Sequence, residues 1–260
     1  MNVREFGKAG MFRGRAFWAP KGGAGVEEYE DAFSVSESSA PFRTAVADGA
    51  TEAAFARRWA RLLADGFAER GPAVLANELP ALQEKWRASV EAQAETLPWY
   101  AAEKAAAGAF AALLGLEVAP DPDRAKPDRA KPGGGTWRAV SVGDANVFHL
   151  RGGAWLRAWP REKAADFGSR PALVPSRSDA DVPVARRAEG RFQPGDAFVL
   201  ATDAAAAWLL RCETSAPGAP PDPTRALTWD DEDAFAEAVR AARNEGALDN
   251  DDTTVAVIQA

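Results

Sequence analysis
Residues 44–67, TAVADGATEAAFARRWARLLADGF, decide the reading of the fold. The stretch opens as an apolar strand, Ala45-Val46-Ala47. It closes as an amphipathic helix, with Phe55, Trp59, Leu62, Leu63 and Phe67 at helical spacing and Arg57, Arg58 and Arg61 opposite them. Asp48 and Gly49 stand between the two. A carboxylate at the end of a buried strand has an ordinary role, which is to cap the helix that follows. A recurrence of the arrangement would argue for something more.

It recurs. Ala197-Phe198-Val199-Leu200-Ala201-Thr202-Asp203 is a second apolar strand ending at a carboxylate and feeding a helix. Val140-Ser141-Val142 runs into Gly143-Asp144, Glu30-Asp31 precedes another strand, and Asp251-Asp252 precedes the last. Singly, each fits a cap, a hairpin turn or a solvated loop. Jointly they point elsewhere, because strand ends converge in space and crowded carboxylates repel unless a hard cation neutralises them. Mg²⁺ or Mn²⁺ suits an all-oxygen site.

The remaining pattern predicts strands near 10–18, 31–36, 42–47, 109–118, 137–142, 145–150, 154–159, 197–202 and 254–259. Helices are expected after Asp48, over 73–92 with a possible kink at Pro80, over 98–107, over 204–212 and over 230–244, where Phe235, Val239 and Ala242 form a stripe. Strand runs with helices gathered between them indicate an α+β fold, two packed antiparallel sheets with helices on the outside, rather than alternating βαβ units. Segments 119–135 and 213–223 read as flexible loops, since proline, glycine and charge without apolar residues cannot repay ordering entropy. Residues 160–190 have few apolar side chains and read as a flap.

Composition narrows the function. The net charge is −7, from 38 acidic and 31 basic residues, which argues against a nucleic-acid or anionic-membrane surface. The single cysteine, Cys212, excludes an internal disulfide and a cysteine-rich zinc site. The single histidine, His149, excludes histidine-rich metal sites and is expected to be structural or solvent-facing. No Gly-x-Gly-x-x-Gly or Walker loop is present. No apolar run reaches the ~18 residues of a membrane span, and residues 1–20 lack the apolar centre of a signal peptide, so a cytoplasmic location is expected. Trp59, Trp137, Trp155 and Trp208 fit core faces, and Trp99-Tyr100 is expected to be packed.

EDAF (30–33), AVADGA (45–50), SVGDANVF (141–148), VLATDA (199–204) and DDTTVAVI (251–258) resemble, in order and strand context, the metal-dependent protein phosphatases of the 2C type. The resemblance spans about 30–258 and implies one such domain over 1–260, from a divergent bacterial branch. It implies a two-metal centre, with a third, weaker ion, at one edge of a β-sandwich. Asp48 would bridge two Mg²⁺ or Mn²⁺ ions and Gly49 would offer its carbonyl. Asp203 and Asp251 would complete the first ion's ligands, Glu30 and Asp31 would serve the second, and Asp144 the third. Asp249 or Asp252 could take the place of Asp251. By the resemblance, a hydroxide held between the ions attacks the phosphorus of phosphoserine or phosphothreonine in a protein substrate, a kinase or its target, and the enzyme acts as a monomer.

The pattern also departs from the family. Asp-Gly-x-Gly-Gly becomes Asp48-Gly49-Ala50-Thr51-Glu52, and Ser-Asp-Gly becomes Thr202-Asp203-Ala204. No histidine follows the second motif to serve as an acid. No arginine stands immediately ahead of Glu30-Asp31, where Arg13, Arg15 and Lys21 are the cations and Lys21 is chosen for phosphate. Retention of Glu30, Asp31, Asp48, Gly49, Asp144, Asp203 and Asp251 favours the enzyme, while these gaps keep a second reading open, a catalytically weak module that binds and regulates a protein partner. A third is hydrolysis of a small phosphoester by the same centre.

Overall fold
The computed structural model describes residues 3–7, 12–36, 40–50, 55–93, 106–121, 133–168, 170–211 and 222–260. Two antiparallel sheets lie face to face. The first has the order β1 (Val3–Phe6), β2 (Arg13–Ala19), β12 (Thr253–Gln259), β11 (Ala197–Ala201), β7 (Asn146–Arg151) and β8 (Ala154–Trp159). The second runs β10 (Arg186–Phe192), β6 (Gly135–Val142), β5 (Phe110–Pro120), β4 (Phe42–Gly49) and β3 (Ala32–Val35), with the short β9 (Val174–Pro175) also paired to β5.

Phe33, Val46, Leu114, Leu116 and Trp137 from one sheet meet Ala16, Val147, Phe198 and Ile258 from the other in the central core. Helices α1 (Ala56–Arg70) and α2 (Leu79–Glu91) cover the second sheet, where Trp59, Leu63 and Phe67 are fully buried against Leu113, Val140 and Val142. Each such large side chain contributes about 1.5–3 kcal/mol. Helices α3 (Asp203–Leu210) and α4 (Glu232–Asn244) cover the first sheet through Trp208, Phe235 and Val239. Strands β4 and β5 are therefore buried on both faces and read as apolar runs rather than as alternation. Gly115 in β5 is required by this packing, since a Cβ there would stand 2.2 Å from the Phe67 ring.

Several expectations need correction. The helix after Asp48 does not start at once: α1 begins at Ala56, behind Phe55 in a left-handed conformation (φ 64°), so Asp48 caps nothing. The expected 73–92 helix changes character beside Pro80: a π-helical stretch, Val74–Glu78, gives way to α2 at Leu79, and Pro80 lies in the first turn of α2, where a missing N–H costs little. Strands β1 and β10 were not expected; both are edge strands with exposed, charged sequences. Within 160–190, Val174 and Ser176 are buried, and Val174 accepts a hydrogen bond from the Trp59 indole at 2.8 Å. Cys212, Trp99-Tyr100, Thr51-Glu52, most of the expected 98–107 helix, and residues 122–132 and 213–221 of the two expected loops lie outside the described residues. No helix among the described residues is long and apolar enough to cross a membrane.

Candidate functional site
Strand register alone gathers the sequence-predicted carboxylates at one edge of the sandwich. Ala32 of β3 pairs with Ala47 of β4, so Asp31 and Asp48 sit at neighbouring strand ends. Ala201 of β11 pairs with both Asn146 of β7 and Val255 of β12, which sets Asp203 between the 144–146 turn and the 251–253 turn. The sheets are stitched together here. The hydroxyls of Thr202 and Thr254 donate to Asp31 Oδ2 at 2.9 and 2.6 Å, and the Tyr29 hydroxyl bonds to that of Thr254.

The electrostatics record the crowding. Asp48 is pushed well above the usual carboxylate range, first by burial and then by the charges of Asp31, Asp203, Asp251 and Asp144. Burial also raises Asp31, against the bonds from Thr254 and Thr202 and with the charges of Asp252 and Asp203. Burial and Asp144, with a further contribution from Asp251, push Asp203 up to about 6, although the Ala204 N–H and a hydrogen bond with Asp48 oppose the shift. Asp144 is raised by burial while the Arg161 guanidinium pulls it back. Like charges held this close constitute stored repulsion.

The last acidic run separates into three roles. Asp249 pairs with Arg211 at 2.7 Å. Asp252 is 5% exposed and accepts the backbone N–H groups of Lys21 (2.8 Å) and Glu30 (2.6 Å), pinning the 20–30 loop to the foot of β12. Asp251 is the member whose charge acts on both Asp48 and Asp203. Glu30 adjoins Asp31 with its Oε2 buried. Gly49 is tightly enclosed: a Cβ there would lie 2.8 Å from the Glu30 carbonyl oxygen and 3.1 Å from that of Ala56. Lys21 meets the site through its backbone.

Two arginines escape the sequence reading. Arg161 is locked to the Asp144 hairpin, its N–H donating to Asn146 Oδ1 (2.8 Å) and its carbonyl accepting from Asn146 Nδ2 (3.0 Å). Arg243, from α4, donates to the carbonyls of Pro20 (2.9 Å) and Asp251 (2.7 Å) and so fixes the 251 turn. Neither has a local signal, because each meets its partners only through the fold. His149 is remote in role. It is 7% exposed, stacks on Phe198 and bonds to Asp196, which also holds Arg151 and the Gln193 N–H.

The donor set is all oxygen, suiting a hard cation and excluding a soft one. As they stand, no three acidic, histidine or cysteine side chains among the described residues close around a common point.

No family model matches the chain, and no curated protein does. Solved structures do. RsbX in complex with magnesium aligns over 99% of this chain and 98% of its own, at 13% identity and a TM-score of 0.54. PppA, a key regulatory component of T6SS in Pseudomonas aeruginosa, aligns over 96% and 97%, at 18% identity and 0.58. The Mycobacterium tuberculosis serine/threonine phosphatase PstP/Ppp aligns over 100% and 99%, at 16% identity and 0.57. At such identities the likeness is one of fold: the chain has the α+β sandwich of 2C-type phosphatases.

Proposed function
We propose that the chain is a metal-dependent phosphatase acting on phosphoserine or phosphothreonine in a protein substrate. The observation that carries this reading is the gathering of Asp31, Asp48, Asp144, Asp203 and Asp251 at neighbouring strand ends on one edge of a phosphatase fold. A helix cap or a solvated turn has no need of four carboxylates acting on a fifth. In this reading Asp48, Asp203 and Asp251 hold one Mg²⁺ or Mn²⁺ ion, Asp48, the Gly49 carbonyl, Glu30 and Asp31 a second, and Asp144 serves a third. Bound divalent ions would supply the positive charge the cluster lacks and acidify a water for attack on phosphorus.

The chain's own residues do the rest. Thr202, Thr254 and Tyr29 orient Asp31, while Asp252 and Arg243 hold the two loops that carry Glu30 and Asp251. Of the cations near the cluster, Arg243 is held by backbone carbonyls, and Arg161 and Lys21 are proposed to meet the phosphoryl oxygens. No histidine other than His149 exists, and it is committed to Asp196, so the leaving group departs without a histidine acid. That favours leaving groups of low pKa and slows the alkoxide of phosphoserine.

The test is hydrolysis of p-nitrophenyl phosphate by the purified protein with Mn²⁺, with EDTA and after Asp48→Asn. Turnover that requires Mn²⁺ and falls at least ~100-fold in the variant is expected. A folded protein that binds Mn²⁺ and turns nothing over would instead support the regulatory binding module.

A further inference from the structure
Arg13 and Arg15 are, with Lys21, the cations that precede Glu30-Asp31 in the sequence, and the fold carries both away from the carboxylates. Arg13 pairs with Gln259, whereas Ala19 at the other end of β2 pairs with Thr253. At ~3.3 Å per residue, Arg13 stands about 20 Å along the strand from the acidic edge. Both arginines line a cleft of about 810 Å³ between β1, β2 and β12 and the segment 226–230 that leads into α4. That volume lies within the ~300–1,000 Å³ of small-molecule sites. Glu5, Val257 and Gln259 complete the strand side, and Leu227, Trp229 and Asp230 stand opposite.

The two arginines are not equivalent. Arg15 lies 3.8 Å from the Glu5 carboxylate across the β1–β2 pair, and it donates to Asp230 at 3.4 Å and to the Trp229 carbonyl at 3.3 Å. Its charge is answered within the protein. Arg13 gives only its Nε–H, to Gln259 Oε1 at 3.0 Å. Among the described residues no acceptor takes its terminal N–H groups, and none takes the Gln259 amide N–H groups beside them. Donors alone converge at this end of the cleft. The other end is apolar and fixed in place: Trp229 is buried, with the ring centroids of Phe17, Trp208 and Phe235 at 6.1, 5.5 and 5.1 Å, and Leu227 and Val257 adjoin it.

We infer that this cleft binds a small organic carboxylate with an apolar body. The carboxylate sits on the outer fork of Arg13 and the Gln259 amide, and the body lies against Leu227 and Trp229. The planar guanidinium matches a planar carboxylate with two parallel N–H···O bonds. The two acids of the lining, Glu5 and Asp230, balance its two arginines, so the cleft has no net charge to draw in a phosphate dianion and places two carboxylates against one. The inference stands apart from the phosphatase reading, because neither the cleft nor its ligand involves the acidic edge.

The test titrates para-trifluoromethylbenzoate into the full chain in EDTA, followed by fluorine NMR. Acetate, phenyl phosphate and para-trifluoromethylbenzyl alcohol serve as competitors. Saturable binding is expected, with each competitor at least about tenfold weaker, since each lacks the apolar body, the single charge or the carboxylate. Arg13→Gln should weaken binding about tenfold, and Arg13→Lys, which keeps the charge and loses the fork, should weaken it too. Arg4→Gln, on the neighbouring strand and outside the cleft, should leave it unaltered. Absence of saturable binding, or binding that survives in Arg13→Gln, would overturn the site. Phenyl phosphate or acetate binding as tightly as the aryl carboxylate would overturn the ligand class.

Discussion

In the proposed reading, Arg161 and Lys21 are two ways of meeting a phosphate beside the same carboxylates. Arg161 is fastened through its backbone by Asn146, which is fully buried, and its guanidinium lies over the Phe167 ring at 6.0 Å and pulls on Asp144. Lys21 is placed by its backbone, on a loop held by Asp252 and Asn250. A guanidinium presents its donors in a fixed fork, whereas an ammonium on a flexible stem acts as a point charge. Arg161→Ala is accordingly expected to raise KM for p-nitrophenyl phosphate about tenfold, and Lys21→Ala to raise it less. Steady-state kinetics at saturating Mn²⁺ decide this, and the opposite ranking would return the phosphate role to Lys21. The residue scale also answers why an apolar strand ends at Asp48. The residue feels carboxylates from four other segments, at Asp31, Asp144, Asp203 and Asp251, and the helix that it might have capped begins eight residues later.

Among the elements, α4 does more than cover a sheet. Phe235, Val239 and Ala242 bury its apolar stripe, and Arg243 reaches from its last turn to Pro20, Asp251 and the Thr253 hydroxyl. The helix thus couples packing on the outer face to the position of Asp251. Arg243→Met keeps the aliphatic stem and removes these bonds. It is expected to cost about 2 kcal/mol in denaturant unfolding and to weaken Mn²⁺ binding about tenfold. Arg240→Met, on the exposed face of the same helix, serves as the control and should change neither. Unaltered Mn²⁺ affinity in the Arg243 variant would show that the 251 turn holds itself.

For the molecule as a whole, the cluster sets a pH dependence whose sign is opposite to that of a salt-bridged carboxylate. Asp31, Asp48 and Asp203 are raised when folded, Asp203 to about 6. Between the ordinary carboxylate value near ~4 and the raised ones, the folded chain holds more protons than the unfolded, so stability falls as pH rises. Asp196 runs the other way: burial is outweighed by Arg151, the Gln193 N–H and His149, and its contribution is complete above the ordinary carboxylate range. From pH 5 to 7.5 the metal-free protein should therefore lose stability, on the order of 2 kcal/mol. Mn²⁺ should raise the melting temperature more at pH 7.5 than at pH 5, because it meets ionised carboxylates there. Calorimetry with and without the ion checks both statements. An equal Mn²⁺ shift at the two pH values would count against a cation site in this cluster.

The sequence by itself determined what is local. Apolar runs ending in Asp48 and Asp203, the Gly143-Asp144 turn and the paired acids at 30–31 and 251–252 are short-range patterns, and with them came the two-sheet class and the members of the acidic cluster. Strands β1 and β10 escaped because edge strands show water one face and one rim, which leaves VREF and RRAEGRF without apolar alternation. Tertiary structure alone separated the members of the 249–252 run, because Asp249, Asp251 and Asp252 are equivalent carboxylates until Arg211 takes one and two backbone N–H groups of the 20–30 loop take another. It alone brought Arg161 and Arg243 to the site. Electrostatic attraction depends on distance in space, and strand register fixes that distance between residues far apart in the chain.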